Sequence, residues 1–161
     1  MKLSAELLNQ LEQLLSAEQV CATSLLETVQ QENSALRAND VELIHTISSE
    51  KKLGMRQMWE CMQQRDKWLS QHNLETGSAG TIGLIQENKN SRSAQLWEQL
   101  SQTAIKLHEQ NEVNGGIVAL SQRHNKQALD ILCGRTSNAG STYGSKGQQY
   151  KEHSGQSLAK V

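Results

Sequence analysis

The chain has 161 residues, near the size of one domain. With 36% hydrophobic residues, 3% aromatics, no Pro and no Phe, it excludes β-sandwiches and barrels, whose aromatic strands and Pro/Gly turns are missing, and leaves an all-α fold. Sixteen basic residues against seventeen acidic ones give a net charge of -1, and 19 Gln and 10 Asn leave much of the surface polar but uncharged. Nucleic-acid partners are therefore excluded, since they require clustered Lys and Arg.

The N-terminal MKLSAELLNQ lacks the continuous apolar region of a secretory signal, and no stretch approaches the roughly 18 apolar residues of a membrane span. The chain reads as cytosolic, without membrane insertion. In the first block a 4-3 ladder runs Leu8, Leu11, Leu15, Glu18, Ala22, Leu25, Val29, Glu32, Leu36, an apolar seam broken by two glutamates. This is coiled-coil spacing, and the absence of Gly and Pro before Leu36 predicts one helix of about 33 residues. Asn39 and Asp40 supply its break and the next N-cap.

The second block, about Val41 to His72, places Ile44, Ile47, Met55, Met58, Met62 and Leu69 on one face, with Lys51 and Arg65 at intervening seam positions. The methionines read first as core filling, ahead of an adaptable binding strip. Gly54 weakens the helix centre by about 1 kcal/mol relative to Ala, while Trp59 and Trp68 lie off the strict seam. A helix end is predicted near Asn73, because Leu74 to Thr81 (LETGSAGT) has loop composition. A short helix from Thr81 to Glu87 then docks through Ile82 and Ile85.

Ser91 or Ser93 caps a third long helix reaching Leu132. Its ladder is Trp97, Leu100, Ala104, Leu107, Asn111, Asn114, Val118, Ser121, Asn125, Ala128 and Leu132, and a second stripe of Val113, Ile117, Leu120 and Ile131 appears in the same distal half. One seam packs a bundle; two imply a second partner surface. Gly115-Gly116 marks a bend or a close backbone approach. Asn111, Asn114 and Asn125 admit two readings: they fix helix register, or they face outward to hydrogen-bond a partner backbone. From Gly134 onward five Gly and five Ser predict a flexible tail carrying the protein's two tyrosines, Tyr143 and Tyr150. The organisation is thus a helical domain over 1–133 and a Gly/Ser-rich tail over 134–161. The expected architecture is an elongated antiparallel bundle or coiled coil of three long helices, with a short helix between the second and third.

Catalytic chemistry finds little support. A dimetal bundle needs two ExxH pairs and further inward carboxylates, whereas Glu42 with His45 is a single chance-level match. GxSxG is missing, and the Gly77–Gly80 GSAG lacks the Lys-Ser or Lys-Thr of a phosphate loop. Cys21, Cys61 and Cys133 lie far apart without a CxxC pair, which suits reduced thiols on helices better than disulfides or zinc. A non-enzyme without cofactor or metal is expected.

Specific pieces carry a further resemblance: Gln110-Asn111 with Asn114-Gly115, Ile117-Val118, then Ala128-Leu129-Asp130-Ile131-Leu132-Cys133-Gly134, and Thr142-Tyr143-Gly144 with Gly147-Gln148. With the Leu-rich first helix and the Asp40-led second helix carrying Lys51 or Lys52 and Arg65, the chain resembles the FlgN family of flagellar export chaperones. The resemblance implies a non-enzymatic cytosolic chaperone of the flagellar type III export system. It would bind the C-terminal helical segments of hook-filament junction proteins, keep them unassembled and deliver them to the export gate. By this resemblance client contacts fall on Asn111, Val113, Asn114, Ile117, Val118, Leu120, Asn125, Leu129, Ile131 and Leu132. Tyr143-Gly144 contacts the cytosolic domain of the gate, and Tyr150 receives no role. The rival reading is a structural coiled-coil scaffold whose seams are covered by copies of itself.

Overall fold

The computed structural model describes residues 4–89 and 91–135. These form four helices, α1 (Ala5–Ala38), α2 (Val41–Gln71), α3 (Gly77–Glu87) and α4 (Arg92–Leu132), so the fold is all-α, as composition and periodicity predict. The chain divides into two compact units, residues 1–115 and 116–161, and the division falls inside α4. Gly115 and Gly116 are both helical, and a Cβ at either would meet nothing within 4 Å. The close backbone approach expected at this pair is therefore absent.

In the first unit, α1 begins where the Ser4 hydroxyl accepts the Leu7 N–H. It ends at Asn39, which adopts the left-handed conformation with φ 53° and donates to the carbonyls of Ala35 and Leu36. Asp40 follows at once and caps α2 through Leu43 N–H at 3.0 Å. The Asn-Asp dipeptide thus stops one helix and starts the next, folding α1 and α2 into an antiparallel hairpin. The α1 ladder faces inward as its spacing requires: Leu11, Leu15, Glu18, Ala22, Leu25 and Val29 are buried, and Leu8, Glu32 and Leu36 are half-buried. Midway along, Leu25 packs on Gly54, where a Cβ would lie 3.1 Å from its Cδ1. The glycine that weakens α2 as an isolated helix thereby permits close helix approach.

The methionine expectation needs correction. Met58 packs on the core, but Met55 and Met62 are exposed, as is Trp59, so these three form an outward strip at helical spacing rather than core filling. The core face of α2 instead centres on Ile47, Arg65, Leu69 and Trp68. Trp68 was expected off the seam; its indole Nε1 donates to Gln10 Oε1 at 2.8 Å, which satisfies the polar edge while the ring is buried.

Loop composition also misplaces the start of α3, which begins at Gly77 rather than near Thr81. Gly77 has φ +77° and donates its N–H to Asp66 Oδ1 at 3.0 Å, tying the turn to α2. A Cβ on Gly80 would sit 1.6 Å from the Glu75 carbonyl oxygen, so glycine here signals a tight helix entry rather than a loop. With this register Thr81 and Leu84 dock, while Ile82, expected inside, is exposed and Ile85 is half-buried. Gly80→Ala is expected to force backbone movement costing about 1 to 3 kcal/mol, the usual scale of overpacking, and urea unfolding of the variant checks it.

Helix α4 is capped by Ser91, whose Oγ accepts Ala94 N–H at 3.2 Å, while Ser93 is buried and donates to the Leu8 carbonyl. Within the first unit α4 runs parallel to α1, as the Ser93–Leu8, Thr103–Gln19 and Asn114–Val29 hydrogen bonds show in order. The main core gathers Leu11, Leu15, Ala22, Trp68, Leu69, Leu84, Leu96 and Leu100 from all four helices. In the second unit α4 ends at Leu132, and Gly134 takes φ +67° while Arg135 N–H reaches back to the Asp130 carbonyl at 2.7 Å. Gly134 of the LDILCG stretch is therefore the helix stop.

Candidate functional site

Two polar clusters hold the hairpin and α4 together in the first unit. At the first, Arg65 Nη1 donates to Glu18 Oε2 at 2.8 Å with both side chains almost wholly buried, and its guanidinium lies 5.4 Å from the Trp97 ring centre. Arg65 Nε is 3.7 Å from Asp66 Oδ1, in ion-pair range but too long for a hydrogen bond. Burial pushes the Glu18 carboxyl from the ordinary 4.5 up to about 7, against the pull of Arg65 and with a smaller push from Asp66.

The second cluster centres on Asn114, which is 2% exposed. Its Nδ2 donates to the Val29 carbonyl and to Glu32 Oε2, both at 2.8 Å. Its Oδ1 accepts from Asn33 Nδ2 at 2.8 Å and Gln110 Nε2 at 3.1 Å. Two donors and two acceptor positions are the whole capacity of an amide, so this side chain has nothing left to offer. Lys51 Nζ extends the cluster, bonding Glu32 Oε2 and Asn111 Oδ1 at 2.7 Å each. Of the two readings open for the seam asparagines, register-setting describes Asn114, whose client-facing assignment gives way to its burial here; Asn111 is exposed, with Lys51 as its partner. Asn125, in the second unit, is exposed.

The apolar positions singled out on α4 are differently placed. Val113 in the first unit is exposed; in the second unit Val118, Leu120, Leu129, Ile131 and Leu132 are exposed and Ile117 is half-buried. Leu129, Ile131 and Leu132 are 59%, 66% and 72% exposed, far more than large aliphatic side chains normally are in a folded domain. At 3.6 residues per turn, Ile117, Leu120 and Ile131 share one stripe, and Val118, Leu129 and Leu132 share another roughly 125° around the helix. Of the stripe read from spacing, Val113, Leu120 and Ile131 are exposed and Ile117 is half-buried; on the ladder Val118 and Leu132 are exposed. Tyr143, Gly144 and Tyr150 lie outside the described residues.

Spacing alone missed the pairings. Glu18 and Arg65, like Glu32 and Lys51, had been noted separately as polar interruptions of two seams. Each pair is equidistant from a point just past the Asn39–Asp40 turn, and folding the hairpin there brings charge to charge. The ExxH residues Glu42 and His45 sit exposed near the start of α2.

A family model described as FlgN protein matches residues 1–151. The chain belongs to the FlgN family. No curated protein and no solved structure matches it. FlgN proteins are flagellar export chaperones, a chaperone family rather than an enzyme family, and this assignment covers α1 to α4 and most of the tail. Among the described residues no helix is long and apolar enough to cross a membrane.

Proposed function

We propose that this FlgN chain binds the C-terminal helical segments of hook-filament junction proteins along the distal part of α4, holds them unassembled in the cytosol and delivers them to the export gate. The observation that carries the reading is the set of exposed aliphatic side chains from Val118 to Leu132, with the half-buried Ile117 just before them. An amphipathic client helix laid along these stripes uses the helix-in-groove mode. Full burial of one such anchor contributes roughly 1.5 to 3 kcal/mol, so four or five offset the cost of ordering and reach micromolar affinity or better. Asn125 is an exposed polar side chain on this stretch that can set client register, as can the exposed Asn111, whereas the buried Asn114 fixes the proximal part of α4 on the hairpin.

Tyr143-Gly144 is assigned to the cytosolic domain of the gate, on the strength of the resemblance of its TYGxxG stretch. Binding and delivery are then separable. Tyr143→Ala is expected to retain client affinity in a titration yet abolish secretion of the junction protein and motility. Normal motility in that variant would remove the docking role.

A further inference from the structure

Cys21 and Cys61 are forty residues apart in sequence, but their sulfurs lie 3.3 Å apart across the α1–α2 hairpin. This is a close S–H···S contact between two free, half-buried thiols. The pair is bracketed by two close links of the hairpin. One turn to one side is the buried Glu18–Arg65 ion pair, and to the other Leu25 packs on Gly54. Neither helix is therefore free to carry its cysteine away, and a disulfide bond of about 2.05 Å requires each sulfur to move by roughly 0.6 Å, which side-chain rotation supplies.

We propose that Cys21 and Cys61 are a modification site, a cross-link between α1 and α2 closed by peroxide and reopened by a dithiol reductant. Burial first, then the contact with Cys21 and the nearby Glu18 and Glu60 charges, push the Cys61 thiol up to about 11. With Cys21 attacking first, Cys61 resolves it, and the chemistry is the same with the two exchanged. The Cys21 thiolate attacks one oxygen of hydrogen peroxide; an S–O bond forms, the O–O bond breaks, and hydroxide leaves to become water. The Cys61 sulfur then attacks the Cys21 sulfenic acid; the S–S bond forms, the S–O bond breaks, and the departing hydroxide takes the Cys61 proton as a second water. Two thiols and one peroxide give one disulfide and two waters. In the reverse direction a dithiol donates two electrons and two protons and becomes a disulfide itself.

Cys133 is exposed and is replaced by Ser in the test, so that every thiol lost belongs to the pair. The experiment treats the full chain with hydrogen peroxide under native conditions, counts free thiols and maps peptides without reduction. The expected result in the Cys133→Ser variant is loss of both remaining thiols to one Cys21–Cys61 linked peptide, with an upward shift of the thermal midpoint that dithiothreitol reverses. Formation is faster in the folded chain than in the urea-unfolded chain, because the fold holds the sulfurs together. Retention of both thiols, or a linked peptide formed equally fast in urea, overturns the proposal. Because the decisive mapping leaves both cysteines intact, the result does not depend on a Cys21 or Cys61 variant folding.

Discussion

Arg65→Met is expected to destabilise the first unit by about 3 to 5 kcal/mol, the scale of losing one partner of a buried ion pair. Marginally stable domains have about 5 to 15 kcal/mol in total, so urea unfolding followed by circular dichroism should show a large fall in midpoint. The reason is the group left behind. Glu18 is 1% exposed, already has its Oε1 without a hydrogen-bond partner, and would lose the cation that favours its charged form. Its carboxyl, raised by burial to about 7 with Arg65 present, would rise further. A carboxyl whose folded value is raised contributes stability that is complete below its unfolded value of 4.5 and is lost as pH climbs through the folded value. The deficit of Arg65→Met against the parent chain should therefore grow from acidic toward neutral and alkaline pH. Removing both charges with Glu18→Leu and Arg65→Met should restore most of the loss, as apolar replacement of a whole buried pair usually does. A double variant no better than the single one would show that the cost lies elsewhere, for example in the Arg65–Trp97 contact.

Leu120→Asp and Ile131→Asp are expected to weaken client binding by about 100-fold or more while leaving helix content unchanged. Each removes an anchor worth roughly 1.5 to 3 kcal/mol on burial and puts a carboxylate where water is to be expelled. Both side chains are at least half exposed in the free protein, at 50% and 66%, so the fold has little to lose. Calorimetric titration with a junction-protein segment, alongside circular dichroism, separates the two effects. Loss of helicity in either variant would place these residues in a core and remove them from the binding surface.

How much of this was legible in the sequence depended on whether a feature is local. The Asn39–Asp40 break and the α1 ladder follow from local chemistry and spacing, which placed them correctly, while the cap of α4 was narrowed to Ser91 or Ser93 and is Ser91. Gly80 was misread although its constraint is local: a glycine that lets the carbonyl of Glu75, five residues earlier, pass at a helix entry looks in sequence like any loop glycine. Met55 and Met62 were misread because a helix period says which residues share a face without saying which way that face turns, and α2 aims Arg65 and Trp68 inward instead. For the candidate site the periodicity revealed two stripes on α4, but it could not divide the polar ladder. Asn114 saturates its hydrogen bonds inside the bundle, whereas Asn125, on the same ladder, is exposed. The charge pairs were visible as four isolated oddities and became two contacts when the hairpin register was known.

The central claim is that the distal part of α4 is the client-binding surface of this FlgN chaperone. It is tested most directly by titrating the C-terminal helical segment of a hook-filament junction protein into the full chain and into a version ending at Gly115, which keeps the Asn111 and Asn114 contacts with the hairpin. Micromolar or tighter binding to the full chain, with none to a shortened chain that retains its helical spectrum, is the predicted result. Equal binding to both, or a full chain that ignores the segment and instead forms a stable oligomer of itself, would contradict it.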